Sequence, residues 1–185
     1  MRRLPATFGC ATIMLAYSPP HTMPSYPSAI EAAAAPARAT PSNYPAPFAA
    51  LMDGRVKQPL GDMFGIAHFG VNRTTLRPGA ASALPHRHSR QDELVYILEG
   101  EAVLITEHGE TISRAGMCAG FAAGDVSHKL ENHSDADVVL LEIGDRTAGD
   151  QVSYPADDLQ AAMGADGTWR FEHKDGRPYA PYPGV

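Results

Sequence analysis

Short runs of strand-forming residues, separated by turns that contain glycine, constrain the fold of this chain more than any other feature. Residues 93–99 read ELVYILE, residues 102–106 read AVLIT and residues 137–143 read DVVLLEI. Short apolar runs of this kind, rich in Val, Ile and Leu, are typical of β-strands. Further strands are predicted within 63–79 and at 117–121, 128–132 and 169–171. The sequence therefore predicts an all-β sandwich or barrel.

Two of the predicted strands, LVYIL and VVLLEI, are apolar on both faces. A strand with one face in water should alternate apolar and polar residues. We therefore expect the outer face to be covered, either by the tail of the chain or by a second subunit in a homodimer. Tyr96 is out of phase with Glu93 and is expected to point away from the barrel interior.

The regions on either side of the predicted strands differ in composition. Residues 1–47 are rich in Ala, Pro and Ser and are predicted to be a disordered or weakly structured extension, with a helical turn at 31–35. Residues 48–145 are the predicted β-barrel domain, entered through a short helix or turn at 49–52. Residues 146–185 form a C-terminal extension that is predicted to pack on the barrel and to contain a short helix at 156–163.

Charge and composition exclude several classes of function. The net charge is −6 and no basic patch is present, so neither nucleic acid nor an anionic membrane surface is expected as a partner. No run reaches the roughly 18 apolar residues of a membrane helix. The two cysteines, Cys10 and Cys118, are too few and too far apart for a disulfide framework, and Cys118 is predicted to be a buried free thiol.

The first residues leave three interpretations open. Arg2 and Arg3 precede an apolar stretch at 10–17, as in a signal peptide, but no clear cleavage site follows. The alternatives are a genuine mature start, or a true start of translation at Met14 or Met23. We expect a cytoplasmic protein.

Four residues carry the chemistry that the sequence predicts. His86 and His88 are two apart, so on a strand both side chains point to the same face, and Glu93 follows five residues later. His128 is a fourth candidate in a later strand. Three imidazoles and one carboxylate suit a divalent ion such as Fe, Mn, Co, Ni or Zn, and leave coordination positions open for a substrate.

Other polar residues carry weaker signals. His68, His108 and His133 are predicted to be surface or turn residues, and Asn132 to hold a turn. Arg73, Thr75 and Arg77 alternate along one strand face. That face either lines the barrel, where an arginine could hold an anionic substrate, or faces solvent.

The segment 79–132 resembles the two sequence motifs of the cupin superfamily. The first motif is matched by Gly79, His86, His88, Glu93 and Gly100. The second motif is matched by Gly116, Gly124, His128 and Asn132, with Ala122 where the motif has Pro and one extra residue before His128. The chain is also similar to small single-domain bacterial cupins of undetermined function, which share tail segments like Tyr154-Pro155 and the run 175–179.

The resemblance implies a double-stranded β-helix barrel, jelly-roll-like, commonly dimeric and with its metal inside the barrel. It implies a metal-dependent enzyme acting on a small oxygen-rich molecule, of dioxygenase, decarboxylase, isomerase or lyase type. Two alternatives stay open at this point. One is a non-catalytic barrel that binds or senses a small molecule, and the other is a metal that only stabilises the barrel.

Overall fold

Short antiparallel strands make up nearly all the regular structure of the computed structural model, which describes residues 25–40 and 42–180. The strands are β1 (Arg55–Pro59), β2 (Phe69–Leu76), β3 (Arg87–His88), β4 (Glu93–Glu99), β5 (Glu101–Thr106), β6 (Gly109–Arg114), β7 (Cys118–Phe121), β8 (His128–Glu131), β9 (Val138–Asp145), β10 (Gln151–Tyr154), β11 (Leu159–Met163) and β12 (Trp169–Glu172). The helical segments of the same residues are 3₁₀ turns at Ala32–Ala34 and Phe48–Met52 and one α-helical turn, α1, at Leu60–Met63. The prediction of an all-β fold is confirmed.

The strands form two walls of a barrel. One wall is a five-stranded sheet in the order β1-β2-β9-β4-β7. The other wall contains a four-stranded sheet, β12-β11-β10-β3, and a three-stranded sheet, β6-β5-β8. Isolated pairings of Ala81 with Glu131 and of His86 with His128 join these two smaller sheets. These pairings make the second wall continuous at the segment that carries His86 and His88.

Alternation along β4 places its residues on opposite faces of the first wall. Val95 and Ile97 are buried in a core with Leu76 and Leu140, which lie on neighbouring strands of the same wall, and with Leu130 of the other wall. This layer of aliphatic side chains holds the two walls together, because removing apolar surface from water is the main favourable term in folding. Glu93 has the same parity, so it points into the barrel as well.

The turn that follows β4 requires glycine at its centre. Gly100 has φ of +79°, and a Cβ atom there would lie 2.9 Å from the carbonyl oxygen of Asp137. Both the backbone conformation and the close approach exclude a larger residue. The glycine that ends the first motif therefore sets the reversal between β4 and β5.

The outer face of β4 is apolar, as its sequence indicated, but it is exposed, so the tail of the described chain does not cover it. Leu94, Tyr96 and Leu98 are 41%, 39% and 38% exposed, and no described part of the C-terminal region covers them. Tyr96 thus points away from the interior, as predicted. The homodimer that would cover this face stays a prediction. The burial predicted for Cys118 is wrong, because this residue pairs with Tyr96 and shares its outward face.

The helix predicted at 156–163 is wrong. The residues form β11 instead, and Tyr154 pairs with Leu159 across a tight reversal after β10. Leu159 and Ala161 are buried at 0% and 4% exposure while Gln160 between them is not, so the pattern has the strand period of two. Pairing with β10 and β12 overrides the helix propensity of the alanines.

The C-terminal region does more than pack on the barrel. Its three strands and β3 form one complete sheet of the second wall. Val152, Tyr154 and Leu159 build a second buried cluster there, against which Phe171 packs.

Residues 33–40 and 42–44, the N-terminal strap, cross the edge of the first wall. The predicted turn at 31–35 is present. Gln58 Nε2 donates to the carbonyl oxygens of Ala33 and Ala35 at 3.0 and 2.5 Å, and the Arg38 amide donates to the Lys57 carbonyl at 2.8 Å. Tyr44 then packs edge-on against Tyr154 and Phe171. This part of the extension is therefore held in place, although it has little regular structure.

Residues 1–24 lie outside the described residues, and with them the interpretations of the start of the chain. No helix among the described residues is long and apolar enough to cross a bilayer. The cytoplasmic location stays a prediction.

Replacing Tyr44 by alanine tests whether the strap is part of the folded unit. The ring is 8% exposed, so Tyr44→Ala should lower the free energy of unfolding by about 3 kcal/mol through lost burial and a cavity. Tyr26→Ala is the matched control, since Tyr26 is 51% exposed, and should change stability by less than about 0.5 kcal/mol. Urea unfolding followed by circular dichroism measures both. Equal effects of the two substitutions would contradict a packed strap.

Candidate metal centre

The four predicted ligands come from three places in the barrel that backbone pairing brings together. His86 immediately precedes β3 and His88 ends it, whereas Glu93 begins β4 and His128 begins β8. His86 and His128 exchange backbone hydrogen bonds of 3.2 and 2.9 Å. Their rings are consequently neighbours, with centroids 4.8 Å apart.

The three imidazoles surround one oxygen of Glu93. Glu93 Oε2 lies 3.1 Å from Nε2 of His128, 3.4 Å from Nε2 of His86 and 3.7 Å from Nε2 of His88. One possible ligand atom each from His86, His88 and Glu93 lies within 4.8 Å of the others. His128 joins this group through its contact with Glu93. The structure therefore brings all four residues together, and the binding of an ion by them stays a prediction.

The donor set fits a divalent transition metal. Glu93 Oε2 is buried and has no hydrogen-bond partner among the described residues, although three imidazole nitrogens face it. A cation bound between this oxygen and the three nitrogens would give the buried oxygen the partner that it lacks. Imidazole and carboxylate together suit ions such as Fe, Mn, Co, Ni and Zn.

Hydrogen bonds on the far side of two rings leave Nε2 free to bind an ion. Nδ1 of His86 lies 2.9 Å from the Leu84 carbonyl, to which it can only donate. Nδ1 of His88 lies 2.5 Å from Oδ2 of Asp150 and donates in the same way. A proton on Nδ1 places the lone pair on Nε2, which faces Glu93.

Asp150 is a site residue that the sequence interpretation missed. Its carboxylate is fully buried and also accepts from Ser89 Oγ at 3.0 Å and from the Arg90 amide at 2.8 Å. It therefore fixes the His88 ring from behind. No local pattern marked this role, because Asp150 is 62 residues from His88 and only the pairing of β10 with β3 brings them together.

Burial and the imidazoles act in opposite directions on the pKa of Glu93. Burial alone would raise this pKa, but contacts with His128 and His86 outweigh it. The result is a pKa well below the usual range for glutamate. Glu93 is therefore a carboxylate, the form that binds a cation.

A cavity of about 620 Å³ opens from this group, within the usual size range of small-molecule sites. The cavity is lined by cationic side chains from β1 and the strap and by Glu142, which pairs with Lys57. Its polar lining includes Arg38, Tyr44, Arg55, Lys57, Glu142 and Tyr154. The sequence analysis did not identify these residues, although the spacing of Arg55 and Lys57 would place both side chains on one face of a strand.

The remaining polar residues behave as follows. His68, His108 and His133 are exposed, as predicted. Asn132 is fully buried and holds a turn by donating to the carbonyls of Leu76 and Ala136, also as predicted. Arg73 and Thr75 lie outside the cavity, because Thr74 between them is the residue that faces inward and reaches Glu142.

Comparisons with known proteins agree with this architecture. The family model described as "Cupin domain" matches residues 72–144. A sugar phosphate isomerase of the cupin superfamily from Silicibacter pomeroyi has a solved structure that is 37% identical, with a TM-score of 0.76. The alignment covers 82% of this chain and 96% of that one. The chain belongs to the cupin superfamily. Its barrel is therefore the cupin barrel that the two motifs predicted.

Two further solved structures are similar to this cupin. One is a putative sugar phosphate isomerase from Acidithiobacillus ferrooxidans, with 28% identity and a TM-score of 0.62 over 68% of this chain and 80% of that one. The other, a polyketide cyclase from Streptomyces resistomycificus, is 16% identical with a TM-score of 0.53 over 63% and 78%, and shows the shared fold alone. No curated protein matches the sequence.

Replacing Asp150 by asparagine tests its role behind His88. Asp150→Asn keeps the shape but loses the charge that orients the imidazole, so we expect metal affinity to fall about tenfold or more. Asp166→Asn in an exposed hairpin turn is the control and should leave affinity unchanged. Competition with a chromophoric chelator measures both affinities. Unaltered affinity in the Asp150 variant would contradict the assigned role.

Proposed function

We propose that the protein is a metal-dependent isomerase of a phosphorylated sugar. One observation carries this proposal: a buried histidine–carboxylate group shares one cavity with cationic side chains of β1 and the strap. A metal site suits the hydroxyl and carbonyl oxygens of a sugar, and cations suit a phosphate. The two similar proteins with 37% and 28% identity are a sugar phosphate isomerase and a putative one, which supports the same class.

His86, His88, Glu93 and His128 would hold the metal. When bound, a divalent ion polarises a carbonyl group and lowers the pKa of a neighbouring hydroxyl. Because Glu93 and the three imidazoles would be occupied as ligands, proton transfer needs another group in the cavity.

Glu142 is the candidate for that proton transfer. It lies on β9, faces inward and lines the same cavity as Glu93. Its Oε2 contacts Lys57 Nζ at 2.6 Å and accepts from Thr74 Oγ1 at 2.7 Å, so the carboxylate is held in one orientation. Conversion of an aldose to a ketose moves a proton from one carbon to its neighbour and needs no oxidant. A single carboxylate can take the proton from one carbon and return it to the adjacent carbon, while the hydroxyl proton of the substrate passes to the former carbonyl oxygen, so that the reaction balances.

Metal analysis beside a turnover assay tests the proposed function. Protein purified without added metal should contain a near-stoichiometric divalent ion, and His86→Ala/His88→Ala should lose it because two of four ligands are removed. The loaded protein should interconvert phosphorylated aldoses and ketoses, followed by nuclear magnetic resonance. His108→Ala/His133→Ala is the matched control, because both residues are exposed, and should keep metal and activity.

The outcomes separate the alternatives. Absence of metal after reconstitution would overturn a metal-dependent function. Bound metal with binding of phosphorylated sugars but no turnover would favour a sensing barrel instead. Bound metal with neither turnover nor sugar binding would leave a metal that only stabilises the fold.

Replacing Glu142 by glutamine tests the proton-transfer role. Glu142→Gln keeps the size of the side chain and removes its basicity, so kcat should fall about 100-fold or more with little change in KM. Glu131→Gln, which removes a carboxylate paired with Lys129 and His133 outside the cavity, is the control. Steady-state kinetics measures both. A change confined to KM would contradict proton transfer by Glu142.

A further inference from the structure

We infer that Tyr154 is a catalytic residue that donates a hydrogen bond to the carbonyl oxygen of the substrate, and that Tyr44 of the N-terminal strap positions it. This inference deepens the proposed isomerase function and rests on it for the identity of the reaction. Both tyrosines line the cavity that contains Glu93 and Glu142. Neither is a candidate metal ligand, and the proton on carbon is already assigned to Glu142.

Strand β10 places Tyr154 beside the candidate metal ligands. Because β10 pairs with β3, the inward-facing residues of β10 lie next to the segment that carries His86 and His88. The Tyr154 ring is stacked on the His86 ring, with centroids 6.1 Å apart and 25° between the two planes. Glu93 is close enough for its charge to act on the Tyr154 hydroxyl. This hydroxyl is therefore a neighbour of the group that would bind the metal.

The strap holds Tyr44 against Tyr154. The two rings meet edge to face, with centroids 5.7 Å apart, and their hydroxyls share a hydrogen bond. The backbone of Leu84 also bonds the Tyr44 hydroxyl, and the carbonyl of Leu84 accepts from Nδ1 of His86. Contacts within one small region thus fix Tyr44, Tyr154 and His86 relative to one another.

The tyrosine pair holds one hydroxyl hydrogen that none of the described residues accepts. Two hydroxyl groups carry two hydrogens, and the bond between them uses only one. Tyr154 and Tyr44 are 4% and 8% exposed, so both side chains are largely removed from bulk water. A buried hydroxyl without an acceptor costs free energy, and phenylalanine would pack equally well. The unused hydrogen therefore points to an acceptor on a bound ligand.

The place of this donor suits the carbonyl oxygen of an aldose or ketose. Negative charge develops on that oxygen when Glu142 removes the proton from the neighbouring carbon. A donor that is already oriented toward the developing charge stabilises the transition state more than the substrate. With Tyr44 donating to Tyr154, the two hydroxyls act in series, because polarisation of one O–H strengthens the next bond. Neither tyrosine gains or loses a proton in this role.

Replacing Tyr154 by phenylalanine removes the donor and keeps the buried ring. In the metal-loaded protein, Tyr154→Phe should lower kcat about 100-fold with little change in KM, because the lost bond is made in the transition state. Tyr44→Phe should lower kcat about fivefold, also without a change in KM, since Tyr154 keeps its hydroxyl but loses its partner. Tyr96→Phe, on the exposed outer face of β4, is the matched control and should change neither constant.

Ligand binding tests the donor apart from turnover. The first probe is the phosphorylated aldonohydroxamate of each sugar in the turnover screen, whose oxygen imitates the charged oxygen of the transition state. The second probe is the matching phosphorylated sugar alcohol, which carries only neutral hydroxyls at that position. Tyr154→Phe should weaken hydroxamate binding about tenfold or more and sugar alcohol binding roughly threefold at most, because hydrogen bonds to charged oxygens are stronger. Calorimetry measures both affinities.

The outcomes separate this inference from the proposed function. Equal loss of affinity for the two probes, or an unchanged kcat in Tyr154→Phe, would overturn the donor role and leave the isomerase in place. Selective loss of hydroxamate affinity in a protein that turns over no phosphorylated sugar would reject the isomerase and keep Tyr154 as a donor to the ligand. Failure of the parent protein to bind either probe would overturn both. If thermal unfolding shows that Tyr154→Phe does not fold, the same comparison of the two probes in Tyr44→Phe decides.

Discussion

The backbone pairing between His86 and His128 is the contact on which the site depends. It joins two small sheets into one wall and sets two imidazoles side by side over Glu93 of the opposite wall. Because the two backbones exchange both hydrogen bonds, the two histidines are held at a fixed separation as long as the sheets stay paired. The same contact thus closes the barrel and assembles the group that we propose to bind metal.

Around this contact, the interior divides into a part that is apolar and a part that is polar. Leu76, Val95 and Leu140 fill one end of the barrel and stabilise it by burial. At the other end the same strands carry Thr74, Glu93 and Glu142, which leave a cavity instead of a packed core. Polar groups are costly to bury without partners, and contacts such as those of Glu142 with Lys57 and Thr74 offset part of that cost at this end.

Elements with a clear apolar pattern were the ones that could be predicted. The bounds of β4 are those expected for 93–99, and β5, β7, β8, β9 and β12 lie close to their predicted positions. The strand β1 was missed because its inward positions are Arg55 and Lys57, which line the cavity and do not pack in the core. When polar residues occupy the inward positions of a strand, the apolar alternation by which strands are predicted from sequence is absent. The strand β11 was taken for a helix because LQAAM favours a helix until its pairing partners are known.

By itself the sequence determined the barrel family and the four candidate ligands, because strand parity and glycine turns are local properties. Side chains two residues apart, such as those of His86 and His88, point to the same face of any strand. Glycine, as at Gly100, permits a tight turn independently of its tertiary surroundings. Only the tertiary structure decided which groups surround those ligands. Asp150 behind His88, Glu142 beside Lys57 and Arg38 on the strap are brought to the cavity by pairings between distant segments. Their roles depend on long-range contacts, and no spacing along the chain encodes them.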